Sequence, residues 1–228
     1  MWLEPANAQQ RPQPQIPFEL TVGVHEKVKL GRNAVETRKR VDKILKEASK
    51  VLNKCNVILK RKGPVGTFSV PNTAGLIGKD LDENEDGPSA VRKAKDERDA
   101  VHRENFDIKV VAVPFFFCRV RDVVMGCSFD PLPNGDVPQR ESMIVGNARF
   151  VGNPRRSLKL TGKIWAHEFG HKSGLSHRNE AKALMNCKVE PENDGITDPE
   201  CKCIRGGAGV CTDPLEDPTP CRRDDDFR

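Results

Sequence analysis

The chain has 228 residues, enough for one domain with a sizeable core or one domain with an appendage, and its 36% hydrophobic and 31% charged residues describe a polar globular protein. The formal charge of +5 is dispersed, and its densest region, residues 27–62, reads as the wet face of a helix and its flanks. With no clustered basic stripe and no Tyr for base stacking, nucleic-acid binding is excluded. A membrane span is excluded too, because no stretch approaches the roughly 20 apolar residues it needs.

Eight Cys are present, five of them after residue 186 (Cys187, Cys201, Cys203, Cys211 and Cys221). An even number so distributed favours a disulfide framework formed in an oxidising compartment, and hence secretion. The pair Cys201 and Cys203 is too tight for a C-x-x-C zinc knuckle. No signal-peptide core is visible, so the chain reads as a mature or trimmed form and secretion is inferred from the cysteines alone.

In chain order, residues 1–17 are rich in Gln, Pro and Asn and read as a flexible tail. Residues 18–25 alternate apolar and polar, the pattern of a first strand. Val35, Val41, Ile44, Leu45, Ala48, Val51 and Leu52 recur at helical spacing, and Val57, Ile58 and Leu59 form a second strand. Strand, helix, strand predicts a βαβ unit with parallel strands. Residues 63–87 read as a long surface loop. Within it Asp82, Asn84 and Asp86 fit the first half of a calcium loop, D-x-[DN]-x-[DN]-G, but Lys93 stands where the bidentate Glu belongs. A solvated acidic turn and a Ca²⁺ site are the two readings, and the missing Glu favours the first. Residues 90–103 read as a charged helix, and residues 106–118, the most apolar run, as a central strand. A turn leads to residues 125–131, and residues 142–146 form another short strand. Cys118 and Cys127 flank that turn, where a bridge fits. Residues 158–164 lead into the next helix, with Thr161 as candidate cap.

That helix carries the chemistry. His167, Glu168, His171, Gly174 and His177 spell H-E-x-x-H-x-x-G-x-x-H, which holds three of the five His in the chain. His167 and His171 are i and i+4, so they stack on one helix face and can share one metal ion. Glu168 between them is placed as general base toward a water at that metal. Gly174 can end the helix in the left-handed conformation, letting His177 return as third ligand. A coincidental motif, with solvated or core histidines, becomes remote once the glycine and third histidine fall at these offsets. Trp165, Phe169 and Leu175 read as core anchors, and His25 and His102 as surface or internally satisfied histidines. Residues 178–228 continue into a Cys-, Asp- and Pro-rich region.

This motif, with Met185 eight residues beyond His177 in Ala-Leu-Met, resembles the metzincin clan of zinc endopeptidases, closest in motif to the matrixin branch. The resemblance implies an α+β fold with an α/β-type twisted mixed sheet of five strands, one antiparallel edge strand, an active-site helix and a small Cys-rich lower subdomain. The tail (1–17), the upper catalytic subdomain (18–177) and the lower subdomain (178–228) follow from it. It implies one catalytic Zn²⁺ held by His167, His171 and His177, Glu168 as catalytic base, and a Met-turn at Met185 packed beneath the ligands. It also implies a monomer that binds a protein or peptide substrate extended in a cleft, along an edge strand at Gly126, Cys127, Ser128 and Phe129. The chain departs from matrixins at Arg178, Asn186 and Cys187, where Ser and Tyr-Pro are usual, so specificity does not transfer. Two other functions share the metal: a zinc-bound protein-binding module without turnover, which an intact Glu168 argues against, and a zinc amidohydrolase on a non-peptide substrate.

Overall fold

The computed structural model describes residues 14–70, 96, 100–111, 116–117, 123–124, 126–129, 142–146, 153–178, 180–187 and 189–206, with backbone only for 116–117, 123–124 and 126–129. The acidic stretch with Asp82, Asn84 and Asp86, residues 1–13 of the expected tail, Cys118 and residues 207–228 lie outside these; the tail does not extend to residue 17, because Ile16 and Pro17 already pair with Val57 and Ile58 in the first strand.

Two short strands open the fold, β1 (Ile16–Leu20) and β2 (Val22–His25). The alternation of residues 18–25 predicts one strand; the chain breaks at Thr21 instead. Asp107 Oδ2 accepts from both the Thr21 backbone N–H (2.7 Å) and its hydroxyl (2.6 Å), while Asp107 N–H donates to Thr21 Oγ1 (3.0 Å). A reach of 86 residues is invisible to a local pattern.

Helix α1 (Ala34–Leu52) starts where Asn33 accepts the N–H of Glu36, and Glu36 in turn accepts from the Arg32 N–H, which satisfies donors the first turn leaves open. Val41, Ile44, Leu45, Ala48, Val51 and Leu52 form its buried stripe. A 3₁₀ turn (Asn53–Cys55) and left-handed Asn56 (φ 57°) end it. Then come β3 (Val57–Arg61), parallel to β1, and β4 (Gly66–Phe68), parallel to β2. The predicted βαβ unit is therefore present, split at its first strand.

Next are β5 (Ile108–Val111), β6 (Phe116–Phe117), β7 (Val123–Val124), β8 (Gly126–Phe129) and β9 (Ser142–Gly146). The main sheet has the order β4-β2-β5-β9-β8: the first four strands run parallel, and β8 pairs antiparallel with β9 at the edge, Gly126 opposite Val145 and Phe129 opposite Ser142. Within the apolar run 106–118 the described strand residues fall in two different sheets. Only β5 joins the main sheet, while β6 pairs antiparallel with β7 in a separate two-stranded ladder.

Because side chains alternate along a strand, β5 sends Ile108 and Val110 to one face and Lys109 and Val111 to the other. The first face packs on α1 and on α2 (Pro154–Lys172); the second carries Phe68, Val70, Val101, Val111 and Ile144. Lys109 is 0% exposed and donates to His102 O (2.6 Å) and Ser142 Oγ (2.8 Å), the charge-assisted bonds that a buried ammonium requires. Ser142 Oγ also lies 3.0 Å from His102 Nδ1, so His102 is an internally satisfied histidine, as is His25, whose Nδ1 accepts from Lys27 N–H.

Helix α2 begins earlier than expected. Its cap is Asn153, which accepts the N–H of Arg156, with Pro154 in the first turn; Thr161 lies mid-helix, its hydroxyl donating to Ser157 O. From Leu160 to Gly170 every residue is buried, so the segment has no wet side to mark its boundaries. Phe18 of β1 meets Phe169 edge-on at 5.1 Å, an arrangement worth about 0.5–1.5 kcal/mol beyond burial. A last helix, α3 (Asp198–Gly206), is joined to the 3₁₀ turn by the Cys55–Cys201 disulfide. Cys187 and Cys203 are disulfide-bonded as well. Among the described residues no helix is long and apolar enough to cross a membrane.

Candidate metal centre

The last turn of α2 presents His167 and His171 on one face, and the chain then reverses at Gly174, whose φ of 87° suits glycine. Gly174 N–H donates to His171 O and Leu175 N–H to Gly170 O, which closes the helix and starts the return that carries His177. The three Nε2 atoms converge: 3.0 Å for His167–His171, 3.0 Å for His171–His177 and 3.2 Å for His167–His177. Among the described residues this is the sole group of His, Cys, Asp or Glu spaced to hold a metal ion.

Whether these residues fit a metal is decided by where the ring protons are. His167 Nδ1 lies 2.7 Å from Leu184 O and His171 Nδ1 2.8 Å from Leu175 O. Carbonyls only accept, so both protons sit on Nδ1 and both Nε2 atoms present lone pairs to each other. Lone pairs at this distance repel unless a cation lies between them. Tetrahedral zinc with Zn–N of 2.0–2.1 Å sets its nitrogens about 3.3 Å apart, close to the spacing here. The site fits zinc.

Leu184 has no counterpart among the residues singled out by sequence, and it is what fixes His167. Its N–H donates to Gly195 O (2.8 Å), Gly195 N–H donates to Lys182 O (2.8 Å), and Ala183 bridges Gly195. Lys163, one helical turn before His167, is buried and donates to Asn193 O (2.7 Å), which ties α2 to the same loop. Burial lowers its pKa to about 8, with Asp194 acting the other way, so it remains largely charged at neutral pH. Met185 is fully buried and sits against Gly170, where a Cβ would overlap its sulfur. Met185 O also accepts from Arg178 N–H (2.9 Å), so this turn and the residue after His177 are one hydrogen-bonded unit. Glu168 is 4% exposed on α2 beside His167. Gly126, Cys127, Ser128 and Phe129 form β8 at the sheet edge; the side chain of Cys127, and with it the expected bridge to Cys118, lies outside the described atoms.

His167 is pushed well below the ordinary histidine value of 6.5, first by burial and then by the imidazoles of His171 and His177, with the Leu184 carbonyl opposing. A depressed folded pKa means that the unfolded chain binds the proton more readily. The metal-free protein should therefore hold its full stability above about pH 6.5 and lose it as pH falls toward the folded value. Zinc competes with protons for the same nitrogens and should be released over the same direction. Thermal melts of the metal-free protein at about pH 7.5 and about pH 5.5 check this; an unchanged or higher melting temperature in acid contradicts it.

No protein-family profile matches the sequence, and no curated protein matches it. Similarity appears among solved structures, and it is to the zinc-metallopeptidase fold. The archaemetzincin of Methanopyrus kandleri superposes with a TM-score of 0.50 at 17% identity, over 82% of this chain and 94% of that chain. The metalloproteinase-II of Bacteroides fragilis (TM-score 0.42, 10% identity, 85% of this chain and 54% of that one) and a zinc-dependent peptidase of Methanocorpusculum labreanum (0.42, 15%, 83% and 97%) also match. At these identities the likeness to the archaemetzincin is one of fold. The narrower matrixin resemblance gains no support from the comparisons.

Proposed function

We propose that the chain is a zinc-dependent endopeptidase of metzincin type that hydrolyses internal peptide bonds. The observation that carries this reading is the convergence of three Nε2 atoms, two with their tautomer held by main-chain carbonyls, beside a buried carboxylate on the same helix. Zinc bound there supplies a Lewis acid that acidifies a water and polarises the scissile carbonyl. Glu168 takes the proton from the attacking water and delivers it to the leaving amine as the C–N bond breaks. Its burial keeps competing solvent away, so the proton passes between fixed partners. His171 and His177 are half-buried while His167 is buried, so the face toward those two is where substrate and water arrive.

β8 is the substrate edge in this reading. Among the described residues it pairs only with β9, and an extended peptide can add to its outer side through main-chain hydrogen bonds, which needs no free terminus. The Cys55–Cys201 bridge supports an oxidising, extracellular setting.

The test is digestion of an unstructured protein such as casein with cleavage sites read by mass spectrometry. Cuts inside the chain, abolished by a zinc chelator and restored by zinc, are expected. Zinc binding without cleavage would point to a binding module, and turnover confined to non-peptide amides to an amidohydrolase; either result removes the endopeptidase.

A further inference from the structure

The third metal ligand is held differently from the first two. His167 and His171 belong to a buried helix, whereas His177 lies on non-helical chain after the Gly174 turn, so the anchoring of the adjacent residues also bears on where it stands. Arg178 follows directly and makes three contacts, of which the one to exposed Glu180 holds it least. Its N–H donates to Met185 O, its Nη1 lies 2.8 Å from Glu180 Oε2, and its Nε faces Glu200 Oε1 at 3.3 Å. Among the described residues neither Arg178 Nε nor Glu200 Oε1 makes a hydrogen bond, and both atoms are buried, so their contact is an ion pair. With Glu200 1% exposed and the Arg178 side chain 17%, each ion is the other's compensation for leaving water.

Glu200 is itself aimed. Thr197 and Glu200 form a capping box at the start of α3: Glu200 Oε2 accepts from Thr197 N–H (2.7 Å) and Thr197 Oγ1 (2.9 Å). That fixes the carboxylate with Oε1 turned to Arg178. The next residue, Cys201, is cross-linked to Cys55. Arg178 is the next residue to His177 in the chain, so anchoring its guanidinium and its main-chain N–H limits where His177 can stand.

Resting on the zinc-site reading above, we infer that Arg178, clamped by Glu200, is the positioning residue for the third metal ligand. The capping box of α3 thereby sets zinc affinity at a distance. Arg178 touches no reacting atom; it restricts where His177 can stand.

The test compares zinc-stripped wild type, Glu200→Gln, Glu180→Gln and the double variant Arg178→Met/Glu200→Gln. Zinc affinity is measured by competition with a chromophoric chelator, cobalt coordination by its d–d absorption, and folding by circular dichroism of the metal-free chains. Gln keeps the capping acceptor but cannot pair with the guanidinium, so zinc affinity should fall about 10- to 100-fold with an altered cobalt spectrum. Glu180→Gln, at the exposed contact, should stay within about twofold of wild type. The double variant leaves no buried charge unpaired, so it stays folded should the lone guanidinium of Glu200→Gln cost that variant its fold, and it should show the same weakened binding. Wild-type zinc affinity and cobalt spectrum in the folded double variant would overturn the clamp alone. A wild-type chain that binds no zinc overturns the metal reading and the clamp together.

Discussion

Glu168→Gln should lower kcat by about 10²- to 10⁴-fold, the usual contribution of a positioned general base, while the chain stays folded and keeps one zinc. The amide matches the carboxylate in volume, so the buried position beside His167 is still filled. None of the three converging imidazoles is altered, so metal affinity should change little. In the proposed mechanism, what is lost is the site that accepts a proton from water and returns it to the amine. In free-energy terms this is about 3–5 kcal/mol of transition-state stabilisation. KM should move little, because in the proposed mechanism Glu168 acts on the attacking water and not on the substrate's flanking residues. Steady-state kinetics with metal content measured on the same sample decides it. Activity within about tenfold of wild type, contamination excluded, would assign the base elsewhere.

The second large effect concerns stability. Cys55 and Cys201 are 146 residues apart in sequence, and their bridge joins the end of α1 to α3. Closing a loop of that length removes conformational entropy from the unfolded chain equivalent to about 5 kcal/mol in the chain-entropy account. Marginal stabilities of about 5–15 kcal/mol make that a large fraction of the whole. Replacing both cysteines by Ser should lower the melting temperature by about 10–20 °C for a chain of this size. The effect should reach the metal as well, since α3 carries Glu200 and the loop before it carries Gly195, whose carbonyl holds Leu184. A melting temperature within about 2 °C of wild type would show that the bridge constrains nothing the fold depends on.

The convergence of the three histidines was legible in sequence because helix geometry alone places His167 over His171, and Gly174 marks where the chain can reverse toward His177. What orients those rings was not. The carbonyl that receives His167 Nδ1 belongs to Leu184, 17 residues on, and any residue type supplies a carbonyl. Lys163 did leave a signal, a charged residue one turn before His167 within the stretch Leu160 to Gly170 that is buried all round, and its partner is the carbonyl of Asn193, 30 residues away. Thr197 and Glu200 spell a capping box, which predicts a helix start, yet nothing local says that the spare oxygen meets Arg178.

The fold shows the same division. Apolar periodicity located α1 and both strands of the βαβ unit, because each element shows its burial pattern within its own residues. It failed at Thr21, where a carboxylate 86 residues away interrupts the strand, and at Phe116 and Phe117, whose pairing with Val123 and Val124 depends on register rather than hydrophobicity. It misplaced the start of α2 because Arg155 and Arg156 supply no apolar stripe, and because burial beyond Leu160 is uniform.

The central claim is tested most directly by titrating the zinc-stripped protein with zinc while following cleavage of an internally quenched peptide. Activity should rise linearly and break sharply at one zinc per chain, the stoichiometry of His167, His171 and His177 converging on a single point. Cleavage that persists without zinc, or one bound zinc per chain with no cleavage of any peptide offered, would contradict the account.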